Sequence, residues 1–223
     1  MLNPQEEAKR EQLKAKCREM KVVPPPDIFI GLQVHKDNKL LFDDIQRGHS
    51  WTRNYWNYIY GKTSNCDTTS DAFGVGYISN KDTNGTLWYS QFPILYIPGT
   101  ILTGSANTLG GISVGTGTSA FDVEQYALNA LITSGSSAGK LYYNACAVAS
   151  TTYADKKWTI VGRRVFNNNS GGSIVVAETG ICASYNGVYW LLERSLLSPT
   201  VTVPDGAQLT VTYTIVDDFS AID

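Results

Sequence analysis

The sequence predicts a mainly β protein: a β-sandwich or jelly-roll-like domain with an N-terminal helical arm and one short aromatic helix. Charged residues make up only 17% of the 223 residues, while Gly, Thr, Ser, Asn and Tyr are plentiful, a balance that favours strands and turns. From residue 27 onward, short apolar runs alternate with turn residues and no longer period repeats. We therefore divide the chain into a helical arm with a Pro-rich linker (1–26) and a β-sandwich domain (27–223).

The first segment carries the signals of a helix over residues 4 to about 20. Asn3 is a favourable N-cap, and Pro4 suits the first helical position. Three prolines at 24–26 cannot continue a helix and favour an extended spacer. The apolar side of this helix is narrow and consists of Leu13, Cys17 and Met20. We expect a helical arm that hangs loose or docks on a neighbouring chain.

Charge excludes some classes of partner. The net charge is −2, but six basic and four acidic residues among the first 21 give the arm +2 and leave −4 for the remainder. A charge of +2 over one helix is too small to predict specific nucleic-acid binding. Neither an apolar signal region nor an 18-residue apolar stretch occurs, so we expect no membrane partner and a cytoplasmic origin.

Residues 27–47 have the period of two that is typical of strands. Apolar side chains alternate from Ile28 to Val34, and the turn sequence KDNK at 36–39 precedes a second run, which together predict a β-hairpin. A helix follows at 51–60, with Ser50 as a possible N-cap and Gly61 at its end. Because aromatic residues occupy most of its circumference, we expect this helix to be nearly enclosed, at the border between core and interface.

The rest of the chain reads as a series of short strands. Turn residues such as Asn84-Gly85 and Pro204-Asp205-Gly206 separate the runs. This spacing favours a sandwich over βαβ units. The predicted strands cover residues 72–78, 86–92, 141–149, 157–166, 173–183, 187–197, 200–203 and 208–216.

A glycine-rich stretch at 114–132, VGTGTSAFDVEQYALNALI, raises the question of a phosphate-binding loop. It lacks the Lys of a P-loop and does not sit in a βαβ unit, so nucleotide binding is disfavoured. Ser119 and Asp122 loosely match a capping box, which predicts a helical turn between Ala120 and Leu131. The glycines are expected to allow tight turning beside packed strands.

Residues that could carry catalysis are few. The histidines, His35 and His49, both precede residue 50, and the four cysteines form no C-x-x-C pair, so we expect neither a zinc site nor a nucleophile with a base. The cysteines read as unpaired thiols of a reducing compartment. A carboxylate pair of a glycosidase remains as a third, less favoured possibility, drawn from Asp43, Asp44, Asp71, Asp122, Glu178 and Glu193.

Four stretches carry a family resemblance. The first stretch, 47–61, contains the pattern S-W-x-R-N-x-x-N, and the second, 114–132, contains a Gly-Thr turn. In the third, 162–181, a strand that runs from Arg to Asn is followed by a Ser-Gly-Gly turn. The fourth, 189–215, contains L-L-E-R near its start and ends with V-P-D-G-x-x-L-T-V-T-Y-T-I. In this order they resemble structural proteins of tailed bacteriophage virions, and the likeness covers roughly residues 28–216.

The resemblance implies a non-enzymatic virion component of the neck, tail or capsid-associated machinery, without a cofactor or metal. It would be assembled in the host cytoplasm and contact other virion structural proteins and copies of itself as a homo-oligomer. The alternative is a receptor- or glycan-binding adhesin module at the tail that holds host surface glycans with its aromatic residues. The interface residues we predict lie on the arm and the aromatic helix: Leu13, Cys17, Met20, Trp51, Tyr55 and Trp56.

Overall fold

The computed structural model describes residues 4–48, 50–64, 79–89, 102–185 and 187–220. The proposed N-cap Asn3, His49, Cys66, Asp71 and the strand predicted at 72–78 lie outside the described residues. Two helices, α1 (Pro4–Met20) and α2 (Arg53–Ser64), accompany the strands. The mainly β prediction is confirmed, and the strands form a sandwich-like arrangement.

The first sheet contains six antiparallel strands. In spatial order they are β2 (Lys39–Arg47), β1 (Asp27–Lys36), β12 (Gln208–Asp218), β9 (Lys157–Asn167) and β7 (Tyr142–Tyr143), with β8 (Ala147–Ala154) also pairing with β9. The predicted hairpin is confirmed: β1 and β2 join through Asp37 and Asn38, whose φ angles are 51° and 60°. Asn and Asp tolerate this left-handed conformation, which a two-residue hairpin turn requires.

The second sheet contains four antiparallel strands. In spatial order they are β3 (Ser50–Trp51), β11 (Val188–Val203), β10 (Ile174–Tyr185) and β6 (Gly111–Gly115). The runs predicted at 187–197 and 200–203 therefore form one long strand, because the chain continues in pairing with β10 past Pro199. A separate two-stranded ribbon joins β4 (Ser79–Lys81) and β5 (Leu87–Tyr89).

The core lies between the two sheets. The alternating residues of β1 from Ile28 to Val34 are buried, as are Leu209, Val211 and Tyr213 of β12, in agreement with the period of two in the sequence. They pack against Ile181 and other inward residues of the second sheet. The next residue, Cys182, belongs to a second apolar cluster with Leu128. Around Ile181 and Cys182, strand β10 is thus covered on both faces.

The sequence suggested an arm that hangs loose or docks on a neighbouring chain, but α1 docks on the protein's own first sheet. Its residues Arg10 and Lys14 form ion pairs with the buried Asp27 at the start of β1. The prediction considered only the narrow apolar side of the helix, whereas the charged side chains of Glu7, Arg10 and Lys14 pair with Arg47 and Asp27 of the first sheet. The predicted helix bounds are confirmed at both described ends.

The aromatic helix begins and ends later than predicted. Ser50 and Trp51 pair with Arg194 and Glu193 of β11 as a short strand, so α2 begins after Thr52, whose carbonyl accepts from the amide of Tyr55. Helix α2 also continues past Gly61. It is not nearly enclosed, since Trp56 is 45% exposed.

Candidate interaction site

Residues 116–134, here called the cover loop, lie over the face of the second sheet that points away from the first. The loop returns on itself, since the amide of Thr116 donates to Ala130 and that of Ile132 donates to Val114. The predicted helical turn is wrong: the segment has no helix, and Asp122 forms a tight turn in which its carboxylate accepts from the amide of Glu124. A short side chain that captures its own backbone in this way competes with helix formation.

Gly117 of the cover loop and Gly115 at the end of β6 lie against a carboxylate that belongs to the protein itself. Glu178 is fully buried and accepts hydrogen bonds from the amides of Gly117, Asn129 and Ala130, at 3.1, 3.1 and 2.7 Å. A Cβ at either Gly115 or Gly117 would lie 2.5 Å from Glu178 Oε1. The loop therefore holds an anion with its backbone amides, which the sequence did not predict, and that anion is an internal side chain.

Arg194 balances the charge of Glu178. Both side chains are fully buried, and Arg194 Nε donates to Glu178 Oε2 at 2.6 Å. Arg194 Nη1 also donates to the carbonyl of Ser119 and to Gln125 Oε1, at 3.0 and 3.1 Å. The pair thus holds both arms of the cover loop against the sheet. Loss of either partner would leave the other buried charge without its ionic partner.

A second buried carboxylate, Glu193, lies between the two sheets. Its side chain accepts from the hydroxyl of Ser195 on its own strand and from that of Tyr213 on β12, the latter at 2.7 Å. Burial raises the pKa of Glu193 to about 7, against the opposing effect of these two hydrogen bonds. Because Tyr213 belongs to the first sheet, Glu193 joins the two sheets through one hydrogen bond.

Arg164 is a buried cation whose partners are backbone carbonyls. Its guanidinium donates to the carbonyls of Asn144, Gly110 and Ile112 at 2.8 Å each, and to that of Asn107 at 2.6 Å. It also lies over the ring of Tyr143. A residue of the first sheet thereby fixes the chain segment that leads into β6 of the second sheet. These buried charges are structural elements enclosed by the fold.

The ion pairs of α1 form a compact cluster at the edge of the first sheet. Asp27 accepts from Arg10 Nε at 2.6 Å, from Arg47 Nη1 at 2.8 Å and from Lys14 Nζ at 2.8 Å. Arg47 also donates hydrogen bonds to both carboxylate oxygens of Glu7. Burial alone raises the pKa of Asp27, but the adjacent cations outweigh it and the net pKa is lowered. This cluster fixes the position of the helix relative to the sheet.

An open groove of about 600 Å³ lies between α1, the proline spacer, α2 and the cover loop; we call it the aromatic groove. Its basic side chains are Lys9, Arg10 and Arg47. Its apolar lining includes Leu13, Pro25, Trp51, Trp56, Phe121 and Val123. Since three of the six predicted interface residues line it, the groove is the candidate functional site.

Aromatic stacking gives one wall of the groove its shape. The rings of Trp51 and Tyr55 are stacked with centroids 3.8 Å apart, and Tyr55 meets Trp56 edge-on at 5.2 Å. Tyr55 is anchored beneath by an apolar cluster that contains Trp190, and burial raises its pKa to about 12. At the rim, Arg53 pairs with Glu124 at 3.0 Å and joins α2 to the cover loop.

The other predicted interface residues lie elsewhere. Cys17 is buried against the protein's own body, so its thiol does not face a partner. Met20 is 70% exposed but does not line the groove. Sequence reasoning missed Phe121 and Val123, which reach the groove through the fold of the cover loop. The amide of Arg53 donates to the carbonyl of Val123, a contact that no sequence spacing indicates.

The residues with potential chemistry are dispersed in the described part of the chain. Glu178 and Glu193 are enclosed and engaged, whereas Asp43 and Asp122 are exposed on different elements. No group of three metal-ligating side chains occurs among the described residues. In the same ranges, neither helix has the length and apolarity of a membrane span. Three cysteines, Cys17, Cys146 and Cys182, are buried free thiols.

Comparisons of the chain with protein-family models, with curated proteins and with solved structures found no match.

Proposed function

We propose that the protein is a non-enzymatic structural component of a tailed-phage virion, in the neck, tail or capsid-associated machinery, that makes multi-copy contacts through the aromatic groove. The observation that carries the proposal is the convergence of Leu13, Trp51 and Trp56 on one open groove. Aromatic side chains that are partly exposed beside Arg are the usual anchors of protein interfaces. The resemblance of residues 28–216 to virion structural proteins is the reason for proposing a phage particle as the assembly.

The buried charges support the same role. A structural subunit needs a body that keeps its shape when other subunits bind to its surface. The pairs Glu178–Arg194 and Glu193–Tyr213 fix the cover loop and the two sheets by hydrogen bonds that are specific in direction. Because the cover loop supplies Phe121 and Val123 to the groove, its fixation pre-organises that surface for binding.

The second candidate is a glycan-binding adhesin module at the tail. The observation that favours it is Trp56, which is 45% exposed beside the cations of the groove. An exposed indole can stack on a sugar ring, and Lys9 of the groove would suit an acidic sugar. A change in tryptophan fluorescence on addition of host surface polysaccharide, absent from the Trp56→Ala variant, would favour this candidate.

Localisation on the particle tests the proposal first. Gold-labelled antibody against the protein should mark intact particles at the head, the neck or along the tail, in several copies. Label at the distal tail tips alone would move the adhesin candidate ahead. Absence of label from intact and from gently opened particles would contradict both candidates.

The groove itself is tested by Trp56→Ala. The variant should weaken assembly with partner subunits, while the thermal midpoint changes little because the side chain is half exposed. Leu87→Ala removes an apolar side chain of similar exposure outside the groove and is the matched control. If Trp56→Ala assembles like the unaltered protein, the groove is not the contact surface.

A further inference from the structure

The hairpin formed by β8 and the start of β9 differs from every other part of the first sheet in its exposure. All eight residues of β8 are exposed, so that neither face of the strand is covered. By contrast, burial alternates along β1 and β12, where one face packs on the core. The two strands are joined by Asp155 and Lys156, with φ angles of 50° and 60°. The hairpin therefore extends beyond the sandwich.

Its exposed side chains are aromatic and apolar. Tyr153 and Trp158 lie directly opposite each other across the two strands, 67% and 47% exposed. Val148 is a third exposed apolar side chain on β8. A cross-strand aromatic pair stabilises a hairpin, but its exposure in a projecting hairpin is typical of a surface that another chain covers.

Within the described ranges, β8 has one unpaired edge, and this edge lacks the features that protect edge strands. Among the described residues, β9 is the strand that pairs with β8. The sequence AVASTTYA contains neither a charged residue nor proline. Another edge strand of this sheet, β2, carries charged residues, which oppose pairing with a further strand. They are Lys39, Asp43, Asp44 and Arg47.

We infer that β8 is an intersubunit strand that pairs antiparallel with β8 of a second copy, so that the first sheets of two subunits become continuous. A second copy fits because β8 is uncharged, and antiparallel pairing with itself sets no like charges opposite each other. Such a contact is isologous and closes at two subunits. The irregularity between Val148 and Ser150 leaves residues 150–154 as the regular pairing segment, centred on Thr152.

Pairing through β8 would be one of the multi-copy contacts of the proposed virion component, and its place in a virion rests on that proposed function. The pairing itself is measured on the purified full-length chain. A monomeric chain on particles that carry the label would overturn the pairing and leave the virion role intact. If the protein forms a dimer through β8 but is absent from particles, the pairing is supported and the virion role is contradicted.

The test uses paired charges at Thr152. Sedimentation equilibrium of the unaltered protein should show a dimer. Thr152→Lys and Thr152→Glu, each alone, should raise its dissociation constant about tenfold or more, because like charges meet at the two-fold axis. An equimolar mixture of the two variants should restore the dimer, since opposite charges then meet. Val175→Lys, at a strand position 47% exposed on β10, is the control and should dimerise normally.

Each other result overturns the pairing. A monomer at every concentration tested excludes the dimer. A dimer that survives both single variants uses another surface. If both variants are monomeric, retain the circular dichroism of the folded chain and are not restored by mixing, β8 meets something other than its own copy.

Discussion

At the scale of single residues, the absence of a side chain at Gly115 and Gly117 allows the cover loop to pack closely on Glu178. We expect Gly117→Ala to lower the free energy of unfolding by about 1–3 kcal/mol, the cost of overpacking a closed site. Its Cβ would lie 2.5 Å from Glu178 Oε1 and 2.7 Å from Asn129 Cβ. Urea denaturation monitored by tryptophan fluorescence measures the change.

The matched control for this substitution is Gly172→Ala. A Cβ at Gly172 meets nothing within 4 Å, and its φ lies outside the left-handed region, so the stability should change by less than about 0.5 kcal/mol. Equal stability of Gly117→Ala and the unaltered chain would mean that the loop relaxes around the added methyl group. The internal anion would then not fix the loop.

At the scale of elements, α1 contributes to the groove and to stability through different side chains. Deletion of residues 1–26 should leave a folded β body, because no arm residue belongs to the main core cluster. The body should unfold at a lower temperature, since Asp27 and Arg47 lose their partners on the helix. It should also assemble less, because Leu13, Lys9 and Arg10 are removed from the groove. Circular dichroism and particle assembly measure the two effects.

A single substitution separates these two effects. Leu13→Ala keeps every ion pair of α1 but removes an apolar side chain from the groove, so assembly should weaken while the thermal midpoint stays close to that of the full chain. A truncated chain that assembles fully would show that the arm is dispensable for contact. Normal assembly of Leu13→Ala alone would restrict the role of the arm to stability.

The elements that sequence predicts well are those whose signals are local. The Pro4 start of α1, the Asp37-Asn38 turn and the alternation along β12 depend on neighbouring residues and are confirmed. The docking of α1 depends on Arg10 meeting Asp27, and the cover loop depends on Glu178 meeting Arg194. These pairs join residues whose proximity arises only in the folded chain, so sequence patterns do not reveal them. Hence Leu13, Trp51 and Trp56 could be proposed, but not the groove that unites them.

At the scale of the whole molecule, the two sheets meet across a carboxylic acid, and pH should therefore change global stability. Burial raises the pKa of Glu193 from an ordinary value of 4.5 to about 7, so the folded protein binds the proton more tightly than the unfolded chain. Its stabilising contribution is complete below about pH 4.5 and is lost as the pH rises to about 7. The free energy of unfolding should fall by at most about 1.4 kcal/mol per pH unit in this window.

Glu193→Gln isolates this contribution from every other titrating group. The amide has nearly the same shape and cannot ionise, so urea denaturation between pH 5 and 7 should give a flatter dependence of stability on pH than in the unaltered protein. Glu19→Gln, on the exposed side of α1, is the control and should retain the original slope. The lowered pKa of Asp27 acts with the opposite sign and in a different range, since its contribution is lost as the pH falls below about 4. Identical slopes for Glu193→Gln and the unaltered chain would mean that Glu193 does not titrate in this window, and the join between the sheets would then be insensitive to pH.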